Sequence, residues 1–303
     1  MLAGHPHLFA ASELQLLGFN TLRERKAAFI DKYSAWLEGT VRAIMEIKDC
    51  DADEAKRVMH QYEEQGYTTK AFYRVLQEWI NNRILVDKSP SYAFDFETLK
   101  KAERGFENAH YIHLVRHPYT TVRSFESMHM DQILFLRDHP FTTRQLGELI
   151  WTISHQNILK FLQDVPENRQ FRLTFENLTH QPQEMMEAMC RVLDLEYHPD
   201  LLQPYKDMQK KMTDGIYPAS TPMDDTRFHE HRGINPQVAE RWRQVRTDNF
   251  LGDITWQVAI SLGYDPPYFT GEDENGHLLS QRERGARARR ESMRRLRMRR
   301  RRS

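Results

Sequence analysis

The spacing of an arginine and a serine in the middle of the chain indicates a site for a phosphate group. Arg116 follows the apolar run 111–115, and Ser124 lies eight residues further on, in a predicted helix. An arginine fork and a hydroxyl that converge at the end of a strand would bind a phosphate. The alternative is an arginine in a salt bridge beside an ordinary helical serine.

Two further side chains have the chemistry for group transfer. Lys88 follows the apolar run 84–86, and its ammonium is a point charge that can stabilise a moving phosphoryl or sulfuryl oxygen. Glu13 follows HPHLFAAS, and a carboxylate in a cleft can take a proton from an attacking hydroxyl. The alternatives are a solvated loop lysine and a first-turn glutamate, in a helix capped by Ser12, that is favoured by the helix dipole.

The segment FHEHRG at 228–233 offers a third group of polar side chains. His229 and His231 are spaced like two metal ligands, but no third ligand is placed and the segment is predicted to be a loop. A loop that contacts an anion through Arg232 and the flexible Gly233 fits the segment better. We therefore predict no metal site.

Several signals that would point to other classes of protein are absent from the sequence. It contains no GxxxxGK[ST], GxGxxG, HExxH, CxxC or GxSxG motif, so a kinase with Walker residues is not favoured. No run of about 18 apolar residues predicts a membrane span, and MLAGHPHLFA lacks the basic region of a secretory signal. With only Cys50 and Cys190, the chain is expected in a reducing compartment, the cytoplasm.

Short apolar runs that alternate with helical patterns would position these side chains. The runs 84–86, 111–115 and 171–175 are typical of buried parallel strands. Residues 12–82 are mostly helical in pattern, a long loop is predicted at 206–236, and the other predicted helices are 95–104, 119–137, 142–163, 182–194, 236–246 and 252–262. This alternation predicts an α/β fold with helices flanking a parallel sheet, and ligands bind at the carboxyl ends of such strands.

The formal net charge of zero averages two unlike parts of the chain. Residues 281–303 hold 12 arginines and two glutamates, a net charge of +10, which leaves −10 for the rest. We predict one α/β domain at 1–266 and a disordered arginine-rich tail at 267–303. Nucleic acid would bind only through this tail, by counterion release. The alternative is a tail translated by frameshift or read-through.

Taken together, these segments resemble the PAPS-dependent sulfotransferases, and they look most like the sulfotransferase domains of bacterial polyketide synthases. The resemblance covers about residues 1–265. LVRHPYTTVRSF is similar to the family's 3′-phosphate motif, which implies that Arg116 and Ser124 bind that phosphate of PAPS. RLTFENLTHQP resembles the FYEDL segment and places Phe175 on the adenine side. HRGINPQVAERW resembles the RKGxxGDW loop, in which Arg232 and Gly233 would cover the 3′-phosphate.

The resemblance also implies catalytic roles. VDKSPSYA looks like the family's KSP segment, so Lys88 would approach the sulfuryl group. HPHLFAASELQLL resembles the stretch that carries a catalytic glutamate, which makes Glu13 the candidate general base and His229 the second candidate. The implied reaction moves a sulfuryl group from PAPS to a hydroxyl acceptor without a metal ion. A β-hydroxyacyl chain on a carrier protein is the acceptor implied by the polyketide synthase resemblance.

The sequence departs from the family at its start. Family members place a strand and a loop such as PRSGST, which binds the 5′-phosphate and sulfate, directly before a stretch like MLAGHP. Here that stretch begins at Met1. We therefore expect a P-loop-like sheet that lacks its first, central strand. Two functions follow from this expectation, an active sulfotransferase and a catalytically inactive remnant that acts as a binding or interaction module.

Overall fold

The computed structural model describes residues 1–133, 139–206, 216, 233–240 and 250–265. Within these ranges the strands are β1 (Leu8–Ala10), β2 (Ile84–Val86), β3 (Tyr111–Val115) and β4 (Gln170–Thr174). The helices are α1 (Leu22–Ala28), α2 (Glu38–Lys48), α3 (Ala52–Glu64), α4 (Thr69–Trp79), α5 (Phe96–Gly105), α6 (Pro118–Ser127), α7 (Met130–Ile133), α8 (Thr143–Leu162), α9 (Phe175–His180), α10 (Pro182–Val192) and α11 (Asp253–Ser261). No helix in these ranges has the length and apolar character needed to cross a membrane.

The strands form two parallel pairs, as the alternation of strands and helices predicted. β1 pairs with β2, with Ala10 opposite Val86, and β3 pairs with β4, with Val115 opposite Thr174. The carboxyl ends within each pair are therefore level. In the described part of the chain no ladder joins β2 to β3, and Ile84 and Leu114 on these strands are 42% and 49% exposed. The α/β fold with parallel strands is confirmed, while the missing central strand stays a prediction.

The segment before α1 differs from the predicted helix. Residues 8–10 form strand β1, and residues 11–17 follow it as an irregular segment. The backbone N–H groups of Leu16 and Leu17 donate to the Tyr92 hydroxyl at 2.8 and 3.3 Å, and Gln15 adopts the left-handed φ of 52°. These tertiary hydrogen bonds replace the bonds that a helix would make. The reading of Glu13 as a first-turn helical glutamate was therefore wrong.

The other helices begin and end near their predicted positions. Helices α3 and α4 lie in the region 12–82 that was predicted to be mostly helical, and side chains of Asp51 and Thr68 accept hydrogen bonds from their first-turn N–H groups. Met59 and Phe72 are buried in the same core cluster. The helix predicted at 119–137 is interrupted, because α6 stops at Ser127 and a short α7 begins at Met130, while residues 134–137 lie outside the described residues. Most of the predicted loop at 206–236, most of the helix at 236–246 and the tail lie outside the described residues.

Three buried histidines lie beside β3. His113 and His155 share a hydrogen bond of 2.8 Å between Nε2 and Nδ1, and His117 packs against the rings of Trp256 and Tyr264. Burial lowers the pKa of His113 to about 4 and the pKa values of His117 and His155 to about 3. The fold therefore keeps these rings neutral, whereas an unfolded histidine takes up a proton near pH 6.5.

We expect the free energy of unfolding to fall as the pH drops from 6.5 towards 4, because these histidines bind protons in the unfolded chain but not in the folded one. Each histidine contributes up to about 1.4 kcal/mol per pH unit in this window. His155→Gln should flatten the dependence by about that amount in urea titrations repeated at several pH values. His110→Gln, at an exposed position, is the control and should leave the slope unchanged. An unchanged slope in His155→Gln would show that His155 is already charged in the folded protein.

Candidate active site

Two of the predicted catalytic side chains meet at the carboxyl ends of β1 and β2. Glu13 lies three residues after β1, and Lys88 lies two residues after β2. Lys88 Nζ is 2.8 Å from Glu13 Oε1, and the two side chains are 61% and 26% exposed. The parallel register accounts for this contact, because it brings the two strand ends to the same level. We call these residues the Glu13–Lys88 pair.

Gln15 is a member of the site that the sequence reasoning missed. Its Nε2 donates to the other carboxylate oxygen of Glu13, Oε2, at 3.2 Å, and its Oε1 accepts from the Ser91 hydroxyl at 2.6 Å. Gln15 is only 4% exposed. It thus ties the carboxylate of Glu13 to the segment after β2. No local sequence pattern identifies this glutamine, because its role depends on a contact with Ser91, more than seventy positions away.

A close approach of helix α2 fixes the backbone of Glu13. Gly39 lies in the first turn of α2, and a Cβ at this position would lie 1.9 Å from the Glu13 carbonyl oxygen. Only glycine allows such an approach without movement of one of the two segments.

Gly39→Ala should lower the free energy of unfolding by about 1–3 kcal/mol, because α2 and the backbone at Glu13 must separate. Chemical denaturation measures this loss directly. The matched control is Gly105→Ala on α5, where a Cβ meets nothing within 4 Å. We expect that variant to be neutral or slightly stabilised, by at most about 1 kcal/mol. Equal stability of the two variants would contradict the tight packing at Gly39.

Arg116 and Phe175 come together at the carboxyl ends of β3 and β4. Each directly follows its strand, and the guanidinium carbon of Arg116 lies 4.7 Å from the centre of the Phe175 ring. The ring covers a face of the guanidinium, whose N–H groups point outward in its own plane and can bind an anion. The carbonyl of Arg116 accepts from the Trp151 indole N–H at 3.0 Å, which fixes the backbone at the end of β3.

Ser124 lies on α6, the helix that begins directly after Arg116 and His117. His117 caps this helix, and its Nδ1 accepts from the Tyr119 N–H at 3.2 Å. The Ser124 hydroxyl faces the sulfur of Met128 at 3.8 Å. A thioether is a weak acceptor, so this contact does not compete with a phosphate oxygen. The positive end of the α6 dipole adds to the charge of Arg116 in favour of an anion.

Glu176 is a second residue that the sequence reasoning missed. Its Oε1 accepts from the backbone N–H of His117 at 3.0 Å, and its Oε2 accepts from the Tyr264 hydroxyl at 2.6 Å. Burial is the main cause that raises the pKa of Tyr264 well above its ordinary value, and the hydrogen bond to the Glu176 carboxylate adds to the shift. Glu176 therefore connects the residue after Arg116 with the segment that follows α11.

Helix α8 connects the two groups of candidate residues. Near its middle, Trp151 donates to the carbonyl of Arg116. Two turns later, Asn157 Nδ2 donates to the carbonyls of Ala93 and Phe94 at 2.9 and 3.1 Å, in the turn that follows Lys88. One rigid element thus holds the chain next to Arg116 and the chain next to the Glu13–Lys88 pair.

Three further predicted site residues come from the segment 228–233. Two of them, His229 and Arg232, lie outside the described residues. Gly233 is exposed, and a Cβ placed on it would meet nothing within 4 Å. Within the described ranges, no three His, Cys, Asp or Glu side chains are arranged to bind a metal ion. The roles of His229, Arg232 and Gly233 stay predictions.

Comparison with known proteins gives one family throughout. A family model described as the sulfotransferase family matches residues 1–199. The chain is similar to the solved sulfotransferase domain from the curacin biosynthetic pathway, with 36% identity, a TM-score of 0.79 and coverage of 88% of this chain and 92% of that chain. It is also similar to the sulfotransferase domain from the Synechococcus PCC 7002 olefin synthase, with 32% identity, a TM-score of 0.76 and coverage of 88% and 89%. No curated protein sequence matches the chain.

Proposed function

Because the chain belongs to the sulfotransferase family, we propose that it transfers a sulfuryl group from PAPS to a hydroxyl acceptor. The observation that supports this reaction best is the position of the Glu13–Lys88 pair. A carboxylate and an ammonium stand 2.8 Å apart at two strand ends, and α8 attaches this region to Arg116. The pair supplies a base and a cation, the two groups that sulfuryl transfer needs.

In the proposed mechanism Glu13 and Lys88 act on opposite sides of the sulfur. Glu13 accepts the proton of the acceptor hydroxyl as the new bond between oxygen and sulfur forms. The bond between sulfur and the bridging oxygen of the donor breaks, and its electron pair stays on the phosphate of the nucleotide. Lys88 stabilises the negative charge that develops on that oxygen. Lys88 must leave Glu13 to do so, and this movement frees the carboxylate to act as a base.

Arg116 and Ser124 would bind the 3′-phosphate of PAPS in this proposal. Two contacts support this proposal, since the guanidinium lies over the ring of Phe175 and the hydroxyl is next to a weakly accepting thioether. Phe175 follows β4 and would contact the adenine side. Arg232 and Gly233 would cover the 3′-phosphate. His229 is the alternative base should Glu13 prove dispensable.

We propose a β-hydroxyacyl chain on a carrier protein as the acceptor. The support comes from the two solved neighbours, which are sulfotransferase domains from a biosynthetic pathway and from an olefin synthase. Sulfation turns a poorly leaving hydroxyl into a good leaving group, so a later elimination is the class of reaction that would consume the product.

The test combines a transfer assay with a binding assay on the full chain. Sulfur-labelled PAPS is offered with a β-hydroxyacyl carrier protein, with the same acyl chain as a free thioester, and with a simple alcohol. Label in the acyl chain supports the proposed function, and a preference for the carrier-bound chain supports the proposed acceptor. PAPS binding in calorimetry without transfer to any acceptor would identify an inactive binding module instead. If the chain neither binds PAPS nor transfers the sulfuryl group, the proposal is overturned.

A further inference from the structure

We propose that Asp87 is a positioning residue which holds the backbone segments that carry Glu13 and Lys88 in their reactive positions through the hydroxyl groups of Tyr92 and Ser89. This inference rests on the proposed function, since it concerns the geometry of the same two side chains. Asp87 directly precedes Lys88, and its own side chain lies among a group of hydroxyls. We call Asp87, Tyr73, Tyr92 and Ser89 the hydroxyl cluster.

Three hydroxyl groups donate to the carboxylate of Asp87. Its Oδ2 accepts from Tyr73 at 2.5 Å and from Tyr92 at 2.9 Å, and its Oδ1 accepts from Ser89 at 2.9 Å. Loss of hydration raises the pKa of Asp87, while these hydrogen bonds oppose the shift. A carboxylate with so many donors is held in one orientation, because moving it would leave several partners unsatisfied.

Two of these hydroxyls, those of Tyr92 and Ser89, also hold the segment that follows Glu13. The Tyr92 oxygen accepts from the backbone N–H groups of Leu16 and Leu17, and the Ser89 oxygen accepts from the N–H of Gln15 at 3.2 Å. The hydroxyls of Tyr92 and Ser89 therefore accept hydrogen bonds from the backbone and donate their own to Asp87. The carboxylate of Asp87 is thus connected through these hydroxyls to the backbone that follows Glu13, and Asp87 is bonded directly to Lys88 in the chain.

The direction of these hydrogen bonds depends on the charge of Asp87. An ionised carboxylate only accepts, so every hydroxyl proton in the cluster must point towards it. The oxygen lone pairs then face the backbone N–H groups of residues 15–17. An amide at position 87 would instead donate to at least one of these oxygens and reverse that hydroxyl. The bond from the hydroxyl to the backbone would be lost, and the segment that carries Glu13 would be released.

Gln15 completes the connection to the reacting carboxylate. Its backbone is bound by Ser89, its Nε2 donates to Glu13, and its side-chain oxygen accepts from Ser91. Gln15 also has the left-handed φ of 52°, a conformation that a glutamine keeps only where the surroundings hold it. Movement of the backbone at Gln15 would therefore move the Glu13 carboxylate with it.

The experiment compares Asp87→Asn and Tyr92→Phe with Asp95→Asn. Asp95 caps α5 by accepting from Glu97 and Thr98, so it is a structural aspartate eight residues away in the same region. We expect both cluster variants to reduce kcat by about 10- to 100-fold, with less than a twofold change in donor affinity. Asp95→Asn should lose stability but keep kcat and donor affinity.

A second readout separates this inference from the proposed function. In protein with carbon-13 in its glutamate side chains, the carboxyl resonance of Glu13 reports its contact with Lys88 even if the chain transfers no sulfuryl group. Lys88→Met should displace that resonance at neutral pH, and the displacement should be largely lost in the Asp87→Asn background and retained in the Asp95→Asn background. A full displacement in the Asp87→Asn background would show that Asp87 only stabilises the fold. Tyr92→Phe decides the matter in the same way if Asp87→Asn does not fold.

Discussion

Glu13→Gln should reduce kcat by about 10²- to 10⁴-fold while the affinity for the donor stays nearly unchanged. Glutamine keeps the size of the side chain and can still accept a hydrogen bond from Lys88, but its amide cannot take a proton from the acceptor hydroxyl. The loss should therefore fall on the chemical step and leave binding intact. Steady-state kinetics give kcat, and calorimetry with PAPS gives the donor affinity separately.

The control for this variant is Glu97→Gln. Glu97 is 62% exposed on α5, where it forms an ion pair with Lys100, and no step of the proposed mechanism uses it. We expect wild-type kinetics from it. Should Glu13→Gln keep kcat within threefold of the wild type, the base lies elsewhere. His229→Gln would then be examined, and a large loss there would transfer the role of general base to the histidine.

Arg116→Ala should weaken donor binding by about 10²- to 10⁴-fold. The arginine would contribute two charge-assisted hydrogen bonds to the 3′-phosphate, each worth about 1.5–3 kcal/mol when they are lost. Arg116→Lys should recover only part of the affinity, since an ammonium is a point charge that cannot form a bidentate contact. Calorimetry with PAPS measures the whole series.

A second ligand shows which phosphate Arg116 binds. Adenosine 5′-phosphosulfate lacks the 3′-phosphate, so the wild type should bind it weakly and Arg116→Ala should bind it no worse. Arg104→Ala, at an exposed position on α5, should leave the affinity for both ligands unchanged. Equal losses for the two ligands in Arg116→Ala would show that the guanidinium does not bind the 3′-phosphate, and the assignment of Arg116 would be wrong.

The sequence predicted the elements that continuous apolar runs mark, and it was less successful where a run is short. Residues 84–86 and 111–115 were identified as strands, and the residues after them were correctly expected at strand ends. The three residues of β1 follow Pro6 closely and are too few to show a period, so the segment was read as the approach to a helix. Glu13 was singled out for its carboxylate chemistry, although its local structure was wrongly predicted.

The residues that support the site could not be predicted, because their roles arise from contacts distant in sequence. Gln15 contacts Ser91, and Glu176 joins His117 to Tyr264. Asp87 lies in the segment VDKSPSY that the sequence analysis singled out, but its partner Tyr73 lies on α4, and nothing in the local pattern links the two residues. Short polar residues in loops carry no periodic signal, so their partners become visible only when the chain is folded.

The bond between Glu176 and Tyr264 also has a consequence for the order in which the protein is made. The contacts of the Glu13–Lys88 pair described here lie within residues 13–92, so this part can assemble early on the ribosome. The Glu176 bond spans 88 positions, and the backbone beside Arg116 is completed only when Tyr264 has emerged. We expect a nascent chain to acquire its reacting groups well before its nucleotide-binding groups, since contacts between distant residues form late.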